Sequence, residues 1–139
     1  MIVREAKLKH GTPEQYAALD EAIRTAQFIR NKAVRFWMDN QKVSKAVLYS
    51  LCKDLAKEFL AKKLNSAARQ ASAERAWAAI STFYSRCRKG TGKKGYPKFK
   101  KHCRSVDYKV SGWKLSEDCK LITFTDGFET GAFSIILQQ

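Results

Sequence analysis

The sequence predicts an α+β fold in which a block of about three helices interrupts a sheet, and three observations carry that expectation. Apolar residues recur at three- and four-residue steps between Thr12 and Arg88, the period of a helix face. Beyond Gly95 the period changes to two, the signature of half-buried strands. A short strand-like stretch, Ile2 to Lys9, precedes the first helix, with Ile2, Ala6 and Leu8 able to share a side and Arg4 the exception among them. The chain has 139 residues, 45% of them apolar and 12% aromatic. That is the size of one domain with a small subdomain, and too apolar for a disordered tail.

The first helix has a strong start. Thr12 is an N-cap residue, Pro13 suits the first helical position, and Gln15 completes a capping box. Tyr16, Leu19, Ile23, Ala26, Ala33 and Trp37 carry the stripe to about Met38, with Arg30 lying on the same stripe. Asp39-Asn40-Gln41 breaks the pattern, and Ser44 caps a second helix lined by Leu48, Leu51, Cys52, Leu55 and Phe59. A third helix runs from near Asn65 to about Arg88, its stripe formed by Ala73, Trp77, Ile80, Tyr84 and Cys87. Arg69 and Gln70 fall on other faces and are candidates for function. Glycines from Gly90 to Gly95 end the helix. Strands are expected at Val106 to Val110, Leu121 to Thr125 and Ala132 to Leu137, with Asp126-Gly127 as a hairpin turn.

Charge points to the partner. The chain carries 27 Lys and Arg against 13 Asp and Glu, a formal charge of +14. From Arg75 to Val106 there is no acid. Arg75, Arg86, Arg88, Lys89, Lys93, Lys94, Lys98, Lys100, Lys101 and Arg104 all fall there. Such a run repels itself unless an anion neutralises it. Tyr96, Phe99 and His102 are interleaved with these cations, as in sites that combine phosphate contacts with stacking. Nucleic acid is the expected partner. Acidic membrane is disfavoured because the run is broken by glycine and has no amphipathic stripe.

Other chemistry is not expected. No stretch of 18 apolar residues and no secretory leader is present, which predicts a cytoplasmic protein without a membrane partner. Cys52, Cys87, Cys103 and Cys119 are scattered and read as free thiols. There is no Cys-x-x-Cys, and His102-Cys103 is an isolated pair, so no metal is expected. Gly90, Gly92 and Gly95 follow no strand and lead to no Gly-Lys-Ser/Thr, so no nucleotide cofactor is expected. The acids do not converge as a two-metal nuclease requires, and His10 has no evident partner as a general base. The chain is not expected to be an enzyme by itself.

Three segments resemble a known family. Thr12-Pro13-Glu14-Gln15 followed by Ala26-Gln27-Phe28-Ile29-Arg30-Asn31-Lys32-Ala33 resembles the opening helix of TnpB (OrfB-type) proteins of insertion sequences. Asn65-Ser66-Ala67-Ala68-Arg69-Gln70, with Trp77 and Phe83-Tyr84, resembles their next signature helix. Lys94-Gly95-Tyr96-Pro97-Lys98-Phe99-Lys100 is similar to their Lys-Gly-(Tyr/Phe)-Pro-(Lys/Arg)-Phe-(Lys/Arg) segment. The likeness covers nearly the whole chain, and about Ser134 to Gln139 falls outside it.

Such proteins are RNA-guided DNA endonucleases, similar to the ancestors of type V CRISPR effectors. The resemblance implies a wedge-type β-barrel interrupted by a helical recognition domain. It divides the chain into a first barrel strand (1–10), a helical insert (11–89), a basic connector (90–104) and the remaining strands of an incomplete barrel (105–139). It further implies a chain truncated before the RuvC domain, a guide- and target-binding portion without the nuclease, with a separately encoded nuclease portion as a further partner. Gln70 matches a glutamine that in relatives faces the flanking DNA motif; the lysine often four positions earlier is Ser66 here. The resemblance implies a further contact on the second helix at Tyr49 or Lys45. Lys94, Tyr96, Lys98, Phe99 and Lys100 match a segment that approaches nucleic-acid backbone, although Tyr96 and Phe99 beside Pro97 equally suit pinning a loop to the core. The expected partners are structured guide RNA and duplex DNA. A stand-alone helix-turn-helix regulator, a structural RNA-binding protein and a non-functional remnant of a mobile element are the alternatives.

Overall fold

Local signals set most of the helix boundaries. In the computed structural model residues 2–90 and 92–137 are described, the side chains of Phe59, Leu60 and Leu137 excepted. Thr12 caps α1 (Pro13–Asp39) through the expected capping box: Thr12 Oγ1 accepts from the Gln15 amide at 3.2 Å, and Gln15 Oε1 accepts from the Thr12 amide at 2.9 Å. Ser44 caps α2 (Lys45–Leu55). A one-turn α3 (Phe59–Lys62) follows, and Asn65 Oδ1 accepts from the amides of Ala67 and Ala68 to start α4 (Ser66–Lys89). Gly90, at φ 69°, closes α4 in the left-handed conformation that glycine adopts without a Cβ penalty.

The helical core is built on small side chains. Ala22, Ala26 and Ala33 of α1 and Ala68, Ala73 and Ala76 of α4 are all at most 2% exposed, with Ile29, Val34, Leu48, Leu64 and Ile80 filling the space around them. Alanine lets helix axes approach closely, and α1 and α4 form the most extensive helix pair in the fold. α4 also packs on α2. That second contact explains why Ala71, Ser72 and Ala73 are buried in succession, a wider face than one stripe. The expected stripe fades toward the C-terminal end of α4: Tyr84 is 40% exposed and Cys87 is exposed. Burial pushes the Cys52 thiol up to about 11.

The sheet joins the two ends of the described chain. Its order is β1-β4-β3-β2, all antiparallel, with β1 Ala6–Lys9, β2 Trp113–Leu115, β3 Leu121–Phe124 and β4 Gly131–Leu137. Leu8 pairs with Ile135, Ile122 with Phe133 and Lys114 with Thr123. Phe133 is buried between Tyr16 of α1 and Phe124 of β3, with ring centroids 5.2 and 6.1 Å away. Gln15 fastens the start of α1 to the sheet, its Nε2 donating to the carbonyls of Thr130 (3.0 Å) and Ala132 (2.9 Å). The fold is α+β, an open four-stranded antiparallel sheet interrupted in sequence by the helical block.

Several local expectations are corrected. Val106 to Val110 forms no strand, and Val110 is 93% exposed. This segment bonds to side chains rather than to a neighbouring strand: Arg75 takes the Ser105 carbonyl, and Trp113 Nε1 takes that of Lys109. β1 starts at Ala6 rather than Ile2, and residues 2–5 pair with no strand among the described residues. β2 was not expected. Phe59 opens α3 instead of extending the α2 stripe, and its side chain lies outside the described residues, as do Gln138 and Gln139. Asp126-Gly127 sits in a connection spanning 125–130, not in a tight two-residue turn. It is held to the helices instead: Gly127 donates to the Lys63 carbonyl at 2.8 Å, and Asp126 Oδ2 accepts from Tyr108 Oη (2.7 Å) and the Asn65 amide (3.3 Å).

Because the α1–α4 contact depends on small side chains, Ala76→Leu is expected to destabilise the protein by about 1–3 kcal/mol through overpacking. Urea unfolding measures this, and an unchanged midpoint would show slack at that position.

Candidate nucleic-acid interface

Between Gly92 and Gly112 the chain has neither helix nor strand, so its backbone polar groups need other partners. α1 supplies them. Gln27, Arg30 and Asn31 are spaced to share one face of the helix. Gln27 Oε1 accepts from the Cys103 amide at 2.8 Å. Asn31 binds Lys100 twice, accepting from its amide at 2.9 Å and donating to its carbonyl at 2.8 Å. Arg30 Nη1 donates to the Lys98 carbonyl at 3.0 Å. On α4, Arg75 holds the Ser105 carbonyl (2.9 Å) and hydroxyl (3.0 Å) and pairs with Asp107 at 3.0 Å. The segment is therefore a strap laid from α1 to α4.

Its entry is fixed by aromatic packing. The Tyr96 ring lies 5.4 Å from Trp37 and 5.1 Å from Phe83, Trp37 Nε1 donates to Tyr84 Oη at 2.7 Å, and Pro97 is buried. At Gly95, φ is 67°, a backbone conformation that glycine adopts without a Cβ penalty.

The clamped backbone leaves the cations in solvent. Lys93, Lys94, Lys98, Lys100, Lys101 and Arg104 of the strap, with Arg86, Arg88 and Lys89 of α4, are exposed and have no ion-pair partner among the described residues. Arg75 differs, being tied to Asp107. Arg69 differs more: its guanidinium donates to the carbonyls of Ala61, Lys62 and Leu64, closing the turn between α3 and α4. Tyr96, about half exposed, is a packing residue on one side. Phe99 is 46% exposed and lines a shallow depression with Phe28, Lys32 and Arg35.

Gln70 is exposed, but about 140° around α4 from Arg75, at 100° per residue. One turn further along its own face lies Glu74, which accepts from Tyr49 Oη at 2.6 Å and Lys109 Nζ at 2.9 Å. Lys45 Nζ sits 5.7 Å from the centre of the Tyr49 ring. Gln70 thus lies beside a mixed-charge patch formed with Lys109 at the far end of the strap, apart from the cations of 93–104. The clamp residues Gln27, Arg30 and Asn31 were not singled out as site residues. The legible signal was polar residues at 27, 30 and 31 beside a core stripe, Arg30 lying on the stripe itself.

Among the described residues no three His, Cys, Asp or Glu side chains converge as a metal site, and no helix is long and apolar enough to cross a membrane. Neither a protein-family model nor a curated protein matches this chain.

Two outcomes follow from the geometry. Asn31→Ala should remove both Lys100 backbone bonds, cost about 1–2 kcal/mol and release the Lys100 amide from hydrogen-exchange protection. Retained protection would mean the strap is held elsewhere. The hydrogen bond from Tyr49, and then Lys109, holds the Glu74 carboxyl below the ordinary carboxylate range. A carboxylate stabilised in the fold contributes above its unfolded value and loses that contribution as pH falls through its folded value. The stability gap between wild type and Glu74→Gln should therefore be full at pH 7 and shrink below about pH 4.3. A gap independent of pH, measured by denaturation across that range, would remove the ionised Glu74 from the account.

Proposed function

We propose that the chain binds nucleic acid through its backbone phosphates, the strap of 93–104 being the principal contact. The observation that carries this reading is a row of exposed cations, without acids, on a backbone that α1 and α4 hold still. A flexible basic segment binds phosphate weakly because ordering its backbone costs conformational entropy. A backbone already fixed in the fold avoids that cost, and neutralising several phosphates releases counterions from the polyanion.

The resemblance to TnpB-type proteins supports a more specific version. In it the chain is the guide-RNA- and target-DNA-binding portion of an RNA-guided endonuclease, without catalytic residues of its own. The sheet formed by β1 to β4 would be the wedge, and the helices the recognition insert. Gln70, away from the strap, would read base edges in the flanking duplex, since a glutamine amide can pair bidentately with adenine. The strap cations would hold phosphates irrespective of sequence.

Binding to structured RNA and duplex DNA should weaken steeply with salt, log affinity falling by about 0.9 per phosphate contact for each decade of salt. With about five contacts the slope is about −4.5 on duplex DNA. Lys94→Glu, Lys98→Glu and Lys100→Glu together should weaken binding to every sequence alike. Salt-independent binding, or a triple variant altered only in sequence preference, would refute the assignment.

A further inference from the structure

Arg30 is a cation in the wrong place for a purely structural residue. It is only 6% exposed, yet no carboxylate among the described residues pairs with it. Nη1 donates to the Lys98 carbonyl and to Asn31 Oδ1 (3.2 Å), while Nε and Nη2 have no acceptor among the described residues. Neither of these two donors is a buried unpartnered atom, so both stay open to the cleft. A guanidinium largely covered by protein without a counter-charge is still costly. The surroundings add to that cost: Arg75, Lys100, His102 and Arg104 line an open cleft with it. Burial pulls the Arg30 pKa below its ordinary value, against an opposing effect of Cys103 and with a further contribution from Arg75.

Strap clamping does not explain the charge. Gln27 and Asn31, on the same helix face, hold the same backbone with neutral amides and bury no ion. What a guanidinium adds is a fork of donors matched to two oxygens of one anion. Arg30, Arg75, Lys100 and Arg104 line the cleft, and no carboxylate does.

We propose that the Arg30 cleft is a phosphate site, in which the Nε and Nη2 hydrogens of Arg30, with Lys100 and Arg104, hold one phosphodiester of a bound nucleic-acid strand. This rests on the nucleic-acid reading above and adds a discrete, built position to what would otherwise be diffuse attraction. The occupied cleft would also supply the counter-charge that Arg30 lacks, coupling ligand binding to the stability of the strap.

The test uses the full chain at constant ionic strength, with inorganic phosphate as the probe of the site and a short DNA duplex and an RNA hairpin as probes of the source. Phosphate is expected to give saturable amide shifts confined to Arg30 and residues 98–105, which chloride does not reproduce and the oligonucleotides displace. Arg30→Lys, keeping the charge without the fork, should weaken phosphate by about tenfold. Arg104→Gln, an exposed change that leaves the core alone, should do so to a similar degree and serves if the Arg30 variant fails to fold. Non-saturable shifts spread over all exposed lysines would overturn the site while leaving nucleic-acid binding standing. Saturable phosphate binding by a protein to which neither oligonucleotide binds would overturn the phosphodiester assignment, and the nucleic-acid reading with it.

Discussion

A backbone that enters neither helix nor sheet has to place its amides and carbonyls somewhere, and from residue 98 to 105 that constraint is met by side chains of α1 and α4. The two bonds between Asn31 and Lys100 mimic one rung of a β ladder, with an asparagine amide standing in for a strand. Gln27, Arg30 and Arg75 extend the same service to Cys103, Lys98 and Ser105. The clamp works only because the alanine-rich contact keeps α1 and α4 at a fixed separation; a looser pair would stretch or slacken the strap between them. Core packing and the cationic surface are thus one structure seen from two sides.

The sheet is tied into the same body by polar contacts at two places. Gln15 both caps α1 and reaches the Thr130 and Ala132 carbonyls, so the helix start is fixed against β4. At the other place, Asp126 gathers the Tyr108 hydroxyl and the Asn65 amide, linking the β3–β4 connection, the end of the strap and the start of α4. Burial first, and then the carboxylate of Asp126, drive the Tyr108 phenol pKa far upward, so it remains a donor throughout the physiological range. Asp126 Oδ1 is the one buried side-chain polar atom without a hydrogen-bond partner among the described residues.

Two surfaces of different character result. The strap presents exposed cations, and Asp107 just beyond them in sequence is already engaged by Arg75. The Gln70 side of α4 carries Glu74 between Tyr49 and Lys109, a patch in which an acid would repel phosphate. Attraction irrespective of sequence suits the first surface, and selective hydrogen bonding suits the second. On the proposed reading, affinity and discrimination are divided between opposite parts of one helix pair.

The sequence by itself determined the features that depend on neighbours in the chain. The capping box at Thr12 and Gln15, the caps at Ser44 and Asn65 and the stop at Gly90 are local hydrogen-bond and φ requirements, readable within four residues. The acid-free run from Arg75 to Val106 is likewise a matter of counting. Tertiary structure decided the rest. Val106 to Val110 alternates like a strand, yet it is drawn onto α4 by Arg75 and Glu74 instead of pairing, because a pattern of period two specifies a half-buried surface and not a partner. Arg69, legible only as a polar helix position, is turned inward by three carbonyls at the α3–α4 corner. Arg30 stood out on its stripe, but whether it was a solvated exception or a largely covered cation depended on a strap 68 residues away in sequence, and only the packing of that strap over α1 covered most of it.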